Sequence, residues 1–532
     1  MLKLSLIPLS FSLASSLALE SYNIMKRPAA CKRPSASHAP EKRPRIADPW
    51  YHVVGGPEPP DWAQHFVDML HAPFLNLKQK LGADPRITMW SDCAGKCTGK
   101  YAGDLLAVEL MKKLDMDVRF ELYGASDAAA HCKEFVKHNC EPTHFNDNVF
   151  QRDFDADRFD CSMCRKKCVL PSAGIDIYWC CFPCGPWSKR GKRLGLDDRN
   201  AGVCWQTIKT IKHMVPVMFV MENVVEIGSS SDGVDDLTTI KSFMDEQLGD
   251  NYNSVTINGI SPIHHGYPTE KKRVIVVGAR TDQVDAATLS RVFTKMIEVP
   301  MPVVDTYWTF LGCQSIRHAY FDKVGTLPEP QAAMKIQRSG CKCRVDPMTD
   351  CVRHPCFCKK CKDGKVLECA WRAKAMKYLA DNELTWAAAD GCITYIQALE
   401  LINEYVPHSA RERNLLNVLA RLPAAQPLRA TMMITDISQA IDRSRPKFDG
   451  TVPTMATNAK MWSMRAGRLL DVSEMAKLMG HDLGKADLRF TSAAQMSTML
   501  GMSMHVGTAG FALSGLLAAV GGYDLHEGLI SE

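Results

Sequence analysis

The chain has 532 residues, of which 46% are hydrophobic and 23% charged, a composition ordinary for a globular protein of two to four domains or one large domain with insertions. The 21 cysteines lie largely in clusters with short spacings, which favours metal sites or reactive thiols in a reducing compartment over a secreted disulfide framework. The net charge of +5 comes from one segment, residues 26–45, which holds seven basic residues and one acid. The rest is near neutral, which excludes a global positive field, so any nucleic-acid surface there has to be a local patch.

The N-terminal segment carries two conflicting targeting signals. Residues 1–24 have one lysine and then an apolar run with small residues, typical of a signal peptide or organelle leader. Residues 25–50 are rich in proline and basic residues; they are predicted to be disordered, and their paired basic clusters resemble a bipartite nuclear localisation signal. We expect a nuclear protein whose residues 1–24 are a leader or a non-native extension. Organelle or secretory routing, and a solvated tail without an address, are the alternatives.

From residue 86 onward, short β-like runs alternate with helical stretches. Strands are predicted over 86–92, 118–126, 143–147, 175–183, 217–223, 254–260 and 273–280, and helices over 98–114, 128–139 and 205–214. This alternation predicts an α/β fold with a doubly wound, mostly parallel, Rossmann-like sheet. The rhythm is lost from about 300 to 460, which indicates a smaller inserted or separate domain. No run of 18 apolar residues follows the N-terminal segment, so no transmembrane helix is predicted.

Chemically competent side chains fall where the predicted strands end. They are Asp92, Asp127, Asp147, Cys184, and Glu222 with Asn223. Ligands of doubly wound sheets bind at the carboxyl ends of the strands, so one edge of this sheet is the predicted site.

Cys184 is the predicted nucleophile. It stands in Pro183-Cys184-Gly185-Pro186, where a tight loop near a helix start and the cations that follow would lower the thiol pKa. Glu222 follows the next hydrophobic strand, where desolvation would raise the pKa of its carboxyl group and suit it to general-acid chemistry. The alternatives for Cys184 are a metal site with Cys180 and Cys181, or a buried structural cysteine.

These residues resemble two motifs of the cytosine-C5 DNA methyltransferases, which use S-adenosylmethionine. Phe182 to Ser188 resembles the nucleophile motif and Met221 to Val224 resembles the ENV motif; the resemblance extends over 85–280 and 463–515. It implies a class I methyltransferase fold in which Cys184 attacks C6 of a flipped-out cytosine. Glu222, with Asn223 beside it, would hold N3 and N4, and C5 would then receive the methyl group.

The resemblance also implies a set of cofactor-binding residues. Asp92, Ala94 and Gly95 lie in a loop that resembles the first cofactor motif, although Cys93 and Cys97 replace its aromatic residue and second glycine. Asp127 would bind the ribose hydroxyls and Asp147 the adenine. The remaining two implied contacts are Pro183 and Ser503. An ordinary βα turn and helix caps are the alternatives for the loop and the two acids.

Several positions depart from the family pattern. Arg273 matches the last arginine of a Pro-Gln-x-Arg-x-Arg segment, expected near the cytosine O2, but Lys271 replaces its first arginine and Thr269 its glutamine. A solvated charge run is the alternative for this segment. Arg468 to Gly480 resembles a further family helix, in which Glu474 is expected to order structure rather than catalyse.

Two cysteine clusters are candidate zinc sites. The first lies in 341–369 and has Cys341, Cys343, Cys351, Cys356, Cys358 and Cys361 as its ligand candidates, with His354 and Cys369 nearby. The second is Cys161-x-x-Cys164-x-x-x-Cys168, with Cys140 or Cys132 as a fourth ligand. Scattered reduced thiols are the alternative for both.

The sequence therefore predicts a nuclear DNA cytosine-5 methyltransferase that acts on double-stranded DNA, with targeting proteins as further partners. Its expected parts are a catalytic domain in 85–285, a target-recognition region in 286–462 and a returning catalytic segment in 463–523. The rivals are an RNA methyltransferase of the same family, disfavoured by Ser188 where that branch usually has threonine, and a catalytically silent DNA-binding relative.

Overall fold

The computed structural model describes residues 59–189, 191–229, 235–304, 377–378, 380–381, 410–419, 433–441, 446–447, 449–464 and 466–522. The targeting signals in 1–50 and the cysteine cluster in 341–369 lie outside the described residues.

A nine-stranded sheet forms the body, in the order β5-β4-β3-β2-β1-β6-β7-β9-β8. Its strands are β1 (Arg86–Asp92), β2 (Arg119–Ser126), β3 (His144–Asn146), β4 (Arg158–Cys161), β5 (Lys166–Val169), β6 (Ile177–Cys180), β7 (Met218–Val224), β8 (Tyr252–Ile260) and β9 (Arg273–Arg280). The α/β, Rossmann-like fold is confirmed. The sheet is mixed rather than mostly parallel, because five central parallel strands are flanked on each side by an antiparallel pair.

The central strands are buried on both faces. Every residue of β6 and β7 is buried, which explains their nearly continuous apolar runs. Side chains alternate between two cores: Met218 and Val220 lie in one, Phe219 and Met221 in the other. This alternation is the period of two expected for a strand.

Helices cover both faces of the sheet. They are α1 (Trp62–Met69), α2 (His71–Leu81), α3 (Thr98–Leu114), α4 (Ala130–Asn139), α5 (Gly202–Met214), α6 (Asp236–Leu248), α7 (Ala286–Glu298), α8 (Ala410–Leu419), α9 (Val472–Leu478), α10 (Ala493–Met502) and α11 (Val506–Gly521). A second, three-stranded antiparallel sheet contains β10 (Ile434–Asp436), β11 (Met461–Ser463) and β12 (Arg468–Leu469).

The last helix packs against the first elements of the domain. Helix α11 contacts α1, α2, α3 and α7, and Gly510 approaches Trp62 so closely that an added Cβ would lie 2.0 Å from the indole. Trp62, Phe66 and Phe74 are in the same core. Helices α1 and α2, which precede the predicted start of the catalytic domain at 85, therefore belong to the same hydrophobic core.

No single helix in the described part of the chain is long and apolar enough to cross a membrane. The pair α10 and α11, bent by 45°, meets that criterion when taken together, by length and composition only.

Candidate active site

Cys184 lies on a turn beyond β6, not at a helix start. The backbone N–H groups of Trp187 and Ser188 donate to the Cys184 carbonyl oxygen at 3.1 and 2.9 Å, which closes the turn. The Trp187 indole donates to Asp236 of α6 at 2.8 Å and fixes the loop to the body. The Cys184 side chain is exposed. The expected helix N-terminus is absent here, since the next helical residues after the turn begin at Gly195.

The electrostatic surroundings of the Cys184 thiol also differ from the prediction. Desolvation by the surrounding protein raises the pKa of Cys184, and Glu222 adds to that rise, while Arg273 and Lys271 oppose it. Lys189 is instead paired with Glu226 at 3.1 Å. The cations that oppose the rise are therefore Arg273, at the start of β9, and Lys271, just before it.

Glu222 and Arg273 form a buried ion pair beside this thiol. Strands β7 and β9 are antiparallel neighbours, with Val224 opposite Arg273. The Arg273 Nε lies 2.6 Å from the Glu222 Oε1, and the two side chains are 10% and 6% exposed. The Cys181 thiol also hydrogen-bonds to Glu222. Glu222 is therefore buried, as predicted. Its positive partner is Arg273, which the family resemblance had placed near the cytosine O2.

Asn223 supports the loop rather than facing a substrate. Its Nδ2 donates to the Phe182 carbonyl oxygen at 3.0 Å, and its Oδ1 accepts the Val224 N–H at 2.8 Å. The side chain is buried, so the predicted catalytic Asn223 positions the segment that leads to Cys184.

Thr269 and Lys271 are buried, which excludes a solvated charge run. The Thr269 hydroxyl donates to the Leu478 carbonyl oxygen at 2.9 Å. The Lys271 Nζ donates to three carbonyl oxygens, those of Met455, Leu500 and Gly501, at 3.4, 3.4 and 3.1 Å. Burial lowers the pKa of Lys271 to about 7. These contacts connect the segment before β9 to α9 and α10.

The first cofactor loop follows β1 and has an unusual backbone. Cys93, Gly95 and Cys97 all have positive φ angles, of 49°, 53° and 52°. Only glycine adopts this conformation without strain, so both cysteines are strained where they replace family residues. Ala94 is buried, and its N–H donates to the Ser126 carbonyl oxygen at 2.8 Å. The loop is thus folded against the end of β2.

Asp127 holds the same loop. Its carboxylate accepts the Gly95 N–H and the Ala129 N–H, each at 2.8 Å. Desolvation raises the pKa of Asp127, so this acid is in a partly water-excluded position at the carboxyl end of β2. These two N–H groups and the Cys132 thiol leave one lone pair of the carboxylate for a hydroxyl donor.

Asp92 is enclosed, in contrast to its predicted role as a cofactor contact. Arg152 donates to both of its oxygens at 2.6 and 2.5 Å. Further donors are the Trp90 indole, the Ser126 hydroxyl and the Tyr178 hydroxyl, at 2.8, 2.7 and 2.5 Å. Arg152 holds the pKa of Asp92 below its usual range despite burial. Because the whole residue is 1% exposed, we correct the role of Asp92 to structural support of the loop after β1.

Asp147 lies at the far end of the same edge and is open to solvent. Lys133 and the Ser162 hydroxyl reach its two oxygens at 2.8 and 2.9 Å. The neighbouring Asn146 is buried, and its Oδ1 has no partner among the described residues. The edge therefore presents an acid at β2, an unsatisfied amide oxygen at β3 and a second acid beyond it.

Two further predicted contacts lie at separate places. Pro183 directly precedes Cys184 in the loop after β6 and is half-buried. Ser503 follows α10; it is buried and donates to the Leu500 carbonyl oxygen at 3.2 Å. Glu474 orders structure, as expected: it accepts from Arg468 at 2.7 and 2.8 Å and caps α9.

Two buried cationic residues that contact or lie within the loop region of the site were not predicted from the sequence. Arg152 lies in a hydrophilic stretch whose pattern gives no sign of burial, yet its side chain is fully enclosed. Lys96 lies in the loop after β1. Its Nζ is buried and has no hydrogen-bond partner among the described residues, and burial lowers the pKa of Lys96 to about 7. Its position inside a cofactor-type loop was the one available signal.

The predicted ligands of the second cysteine cluster need correction. Cys161, Cys164 and Cys168 come together, but the fourth ligand atom beside them belongs to His144. The Cys132 thiol instead hydrogen-bonds to Asp127, and the Cys140 thiol hydrogen-bonds to Cys97.

A family model and several known proteins match the part of the chain that contains this site. The family model of the C-5 cytosine-specific DNA methylases matches residues 113–312. The Type II methyltransferase M.PspPI of Psychrobacter sp. is 32% identical over 111 residues, which are 21% of this chain and 26% of the relative. M.MthTI of Methanothermobacter thermautotrophicus is 27% identical over 157 residues, 30% of this chain and 40% of the relative. The chain thus spans well under half the length of these curated relatives.

The solved structure of Spodoptera frugiperda DNMT2 has a TM-score of 0.36 and 13% identity to this chain, with 81% of this chain and 99% of that chain covered. The matched residues 113–312 contain Cys184, Glu222 and Arg273, the three groups that the sheet brings to one place. Over residues 113–312 the chain is similar to the C-5 cytosine-specific DNA methylases.

Proposed function

We propose that this protein is a DNA cytosine-5 methyltransferase that uses S-adenosylmethionine. The observation that carries the proposal is the placement of the exposed Cys184 thiol beside the buried Glu222–Arg273 pair. A cytosine inside a duplex is inaccessible to such a thiol, so the base has to leave the stack. The match to the C-5 cytosine-specific DNA methylases supports DNA as the substrate, and we take double-stranded DNA as its form.

The residues of the site have separable roles in this reaction. The Cys184 thiolate forms a bond to C6 of the base, and the electron pair of the C5–C6 double bond moves toward C5. Glu222 binds the N3 and N4 edge, and Arg273 balances its charge and supports binding near O2. Once C5 carries the methyl group that S-adenosylmethionine would supply, the C5 proton leaves to solvent, and the electron pair of that C5–H bond re-forms the C5–C6 double bond and expels the Cys184 sulfur as a thiolate. Asn223 keeps the loop in place throughout.

The β1–β3 edge fits the cofactor that the family implies. Small residues at the loop, the Asp127 carboxylate and the unsatisfied Asn146 Oδ1 give it room and polar partners of the kind a nucleoside with a charged amino-acid end requires. S-adenosylmethionine would supply the methyl group as an electrophile. Asp127 would accept from its ribose hydroxyls and Asp147 from its adenine amino group, while Ala94 and Gly95 would let the backbone approach.

The experiment that tests this function is covalent trapping. The purified protein is incubated with S-adenosylmethionine and duplex DNA that contains 5-fluorocytosine, which cannot release its C5 substituent as a proton. We expect a cofactor-dependent adduct on denaturing gels that Cys184→Ser abolishes, whereas Cys204→Ser, a buried cysteine on α5, retains it. An adduct on RNA of the same design but not on DNA would indicate the RNA branch. No adduct on either, with cofactor binding also absent, would indicate a silent relative.

Further proposals concern location and partners. The paired basic clusters in residues 26–45 support nuclear import, and targeting proteins would then direct the enzyme to its sites. Fusion of residues 25–50 to a fluorescent protein tests the import signal directly: nuclear accumulation supports it, and even distribution contradicts it. The cysteines of 341–369 support a zinc site in the target-recognition region, by residue type and spacing.

A further inference from the structure

A β-hairpin at one edge of the sheet brings three thiols and an imidazole together. Strands β4 and β5 pair in antiparallel register, with Cys161 opposite Lys166 and Phe159 opposite Cys168. His144 lies on β3, which pairs with β4 at Asn146 and Cys161. The four ligand atoms of His144, Cys161, Cys164 and Cys168 all lie within 4.8 Å of one another.

The spacing of these atoms matches a tetrahedral zinc site. The His144 Nδ1 is 3.6 Å from the Cys161 Sγ and 3.5 Å from the Cys164 Sγ. A tetrahedron with Zn–S of about 2.3 Å and Zn–N of about 2.0–2.1 Å has sulfur-to-nitrogen edges of about 3.6 Å. These two sulfur-to-nitrogen distances are therefore those expected of ligands around one ion.

The backbone of the turn also suits thiolate ligands. The Cys164 N–H donates to the Cys161 Sγ at 3.4 Å, and Arg165 adopts a positive φ of 55° to close the turn. Lys166 and Lys167 follow directly and offset the charge of three thiolates. Cys161 and Cys168 are buried whereas Cys164 is exposed, so an ion would be anchored in protein and reachable from solvent during loading.

We propose that His144, Cys161, Cys164 and Cys168 bind one structural zinc ion that fastens the hairpin to the end of β3. The ligand set is closed, with four protein donors, as in structural rather than catalytic zinc sites. Binding releases the thiol protons to solvent and involves no redox change.

The site lies beside a residue assigned to the cofactor. Ser162, between two of the cysteines, donates to Asp147 at 2.9 Å and to the Phe145 carbonyl oxygen at 3.2 Å. A zinc ion that fixes the turn thus orients Asp147. This second step rests on the proposed function, whereas metal binding itself does not.

The test measures zinc in the full-length protein by mass spectrometry, without cofactor or DNA. We expect Cys164→Ser and His144→Ala each to contain one equivalent less zinc than the wild type, and Cys140→Ser, a cysteine outside the site, to contain the wild-type amount. The comparison by difference separates this site from any metal bound in 341–369. His144→Cys should restore the lost equivalent and give a Co²⁺ spectrum of four-thiolate type, which guards against loss of zinc through misfolding.

The proposal would be overturned if the wild type, after purification with zinc, contained no more zinc than Cys164→Ser and His144→Ala. The orientation of Asp147 through Ser162 is tested with Ser162→Ala, whose affinity for S-adenosylmethionine should fall about tenfold while its zinc content stays unchanged. An affinity equal to that of the wild type would show that Ser162 does not link the zinc site to the cofactor.

Discussion

Two buried carboxylate–guanidinium pairs lie at the same edge of the sheet, and they are built differently. Asp92 and Arg152 are 2% and 0% exposed in their side chains, and the carboxylate accepts from Arg152 and three further side chains. Glu222 and Arg273 are joined through one carboxylate oxygen, next to an exposed thiol. We call these the closed pair and the open pair.

The difference teaches where binding capacity remains. A buried ion pair is stable when additional hydrogen bonds satisfy its remaining lone pairs and protons. The closed pair meets that condition within the protein and so supports the fold. The open pair keeps polar atoms for which a pyrimidine edge is a suitable partner, so its chemistry is completed by a substrate.

The largest expected effect is on activity, through the open pair. Glu222→Gln keeps the size of the side chain but removes the charge and the acid, so adduct formation should slow by about 100- to 10,000-fold. This variant also leaves the Arg273 charge buried without a counter-ion, so thermal stability should fall too, and adduct formation is compared at a temperature at which both proteins are folded. A rate close to that of the wild type would show that the open pair does not act on the base.

The closed pair should respond chiefly through stability. Asp92→Asn leaves the Arg152 charge buried without a counter-ion, and removal of one partner of such a pair costs about 3–5 kcal/mol. Urea denaturation measures this loss. Asp104→Asn, which affects the pair of Asp104 with Lys100 on the surface of α3, is the control and should cost below about 1 kcal/mol. Equal losses in both variants would contradict the distinction drawn here.

The pH dependence of adduct formation sharpens the comparison further. Because the pKa of Cys184 is raised, the reactive thiolate is a minor species near neutrality, and its fraction grows about tenfold per pH unit below that pKa. Single-turnover trapping between pH 7 and 9 should therefore accelerate with pH. Arg273→Gln removes a charge that favours the thiolate, so its profile should shift to higher pH. A flat profile in the wild type would show that deprotonation of Cys184 does not limit the rate.

The smallest effect tests the redundancy of the closed pair. Ser126→Ala deletes one of several donors to Asp92, so we expect a loss of about 1.5–3 kcal/mol at most in the free energy of unfolding. Adduct formation at saturating cofactor should remain close to wild type. A loss as large as that of Asp92→Asn would mean that the donors act as one unit.

The accuracy of sequence prediction differs between the same regions. The strands that carry the open pair are continuous apolar runs with a charged or nucleophilic residue at the end, and this pattern locates both the strand and the site. The helix over 98–114 and the strand over 273–280 have the predicted bounds. In such elements, the residues that bury the strand and the reactive residue that follows it are adjacent in the sequence, so both can be predicted together.

Neither the closed pair nor the hairpin of β4 and β5 could be predicted from local sequence patterns. Arg152 becomes buried only because Asp92 and Tyr178 approach from other strands, and no local pattern records such a contact. The strands β4 and β5 are four residues each and largely polar on one face, so no strand was predicted there. His144 was missed as a neighbour of the three thiols because pairing of β3 with β4 determines that proximity, whereas spacing along the chain had favoured other cysteines.

The packing of α11 on α1 has a consequence for how the protein is made. The core that contains Trp62 and Phe66 is completed by residues more than four hundred positions later in the chain, among them Phe511. Contacts of such sequence separation form slowly, and during synthesis they form only after the distant segment has left the ribosome. The early helices therefore emerge with an apolar face exposed long before its partner exists. We expect the nascent chain to depend on chaperones over this interval, and co-translational folding to finish in a single late step.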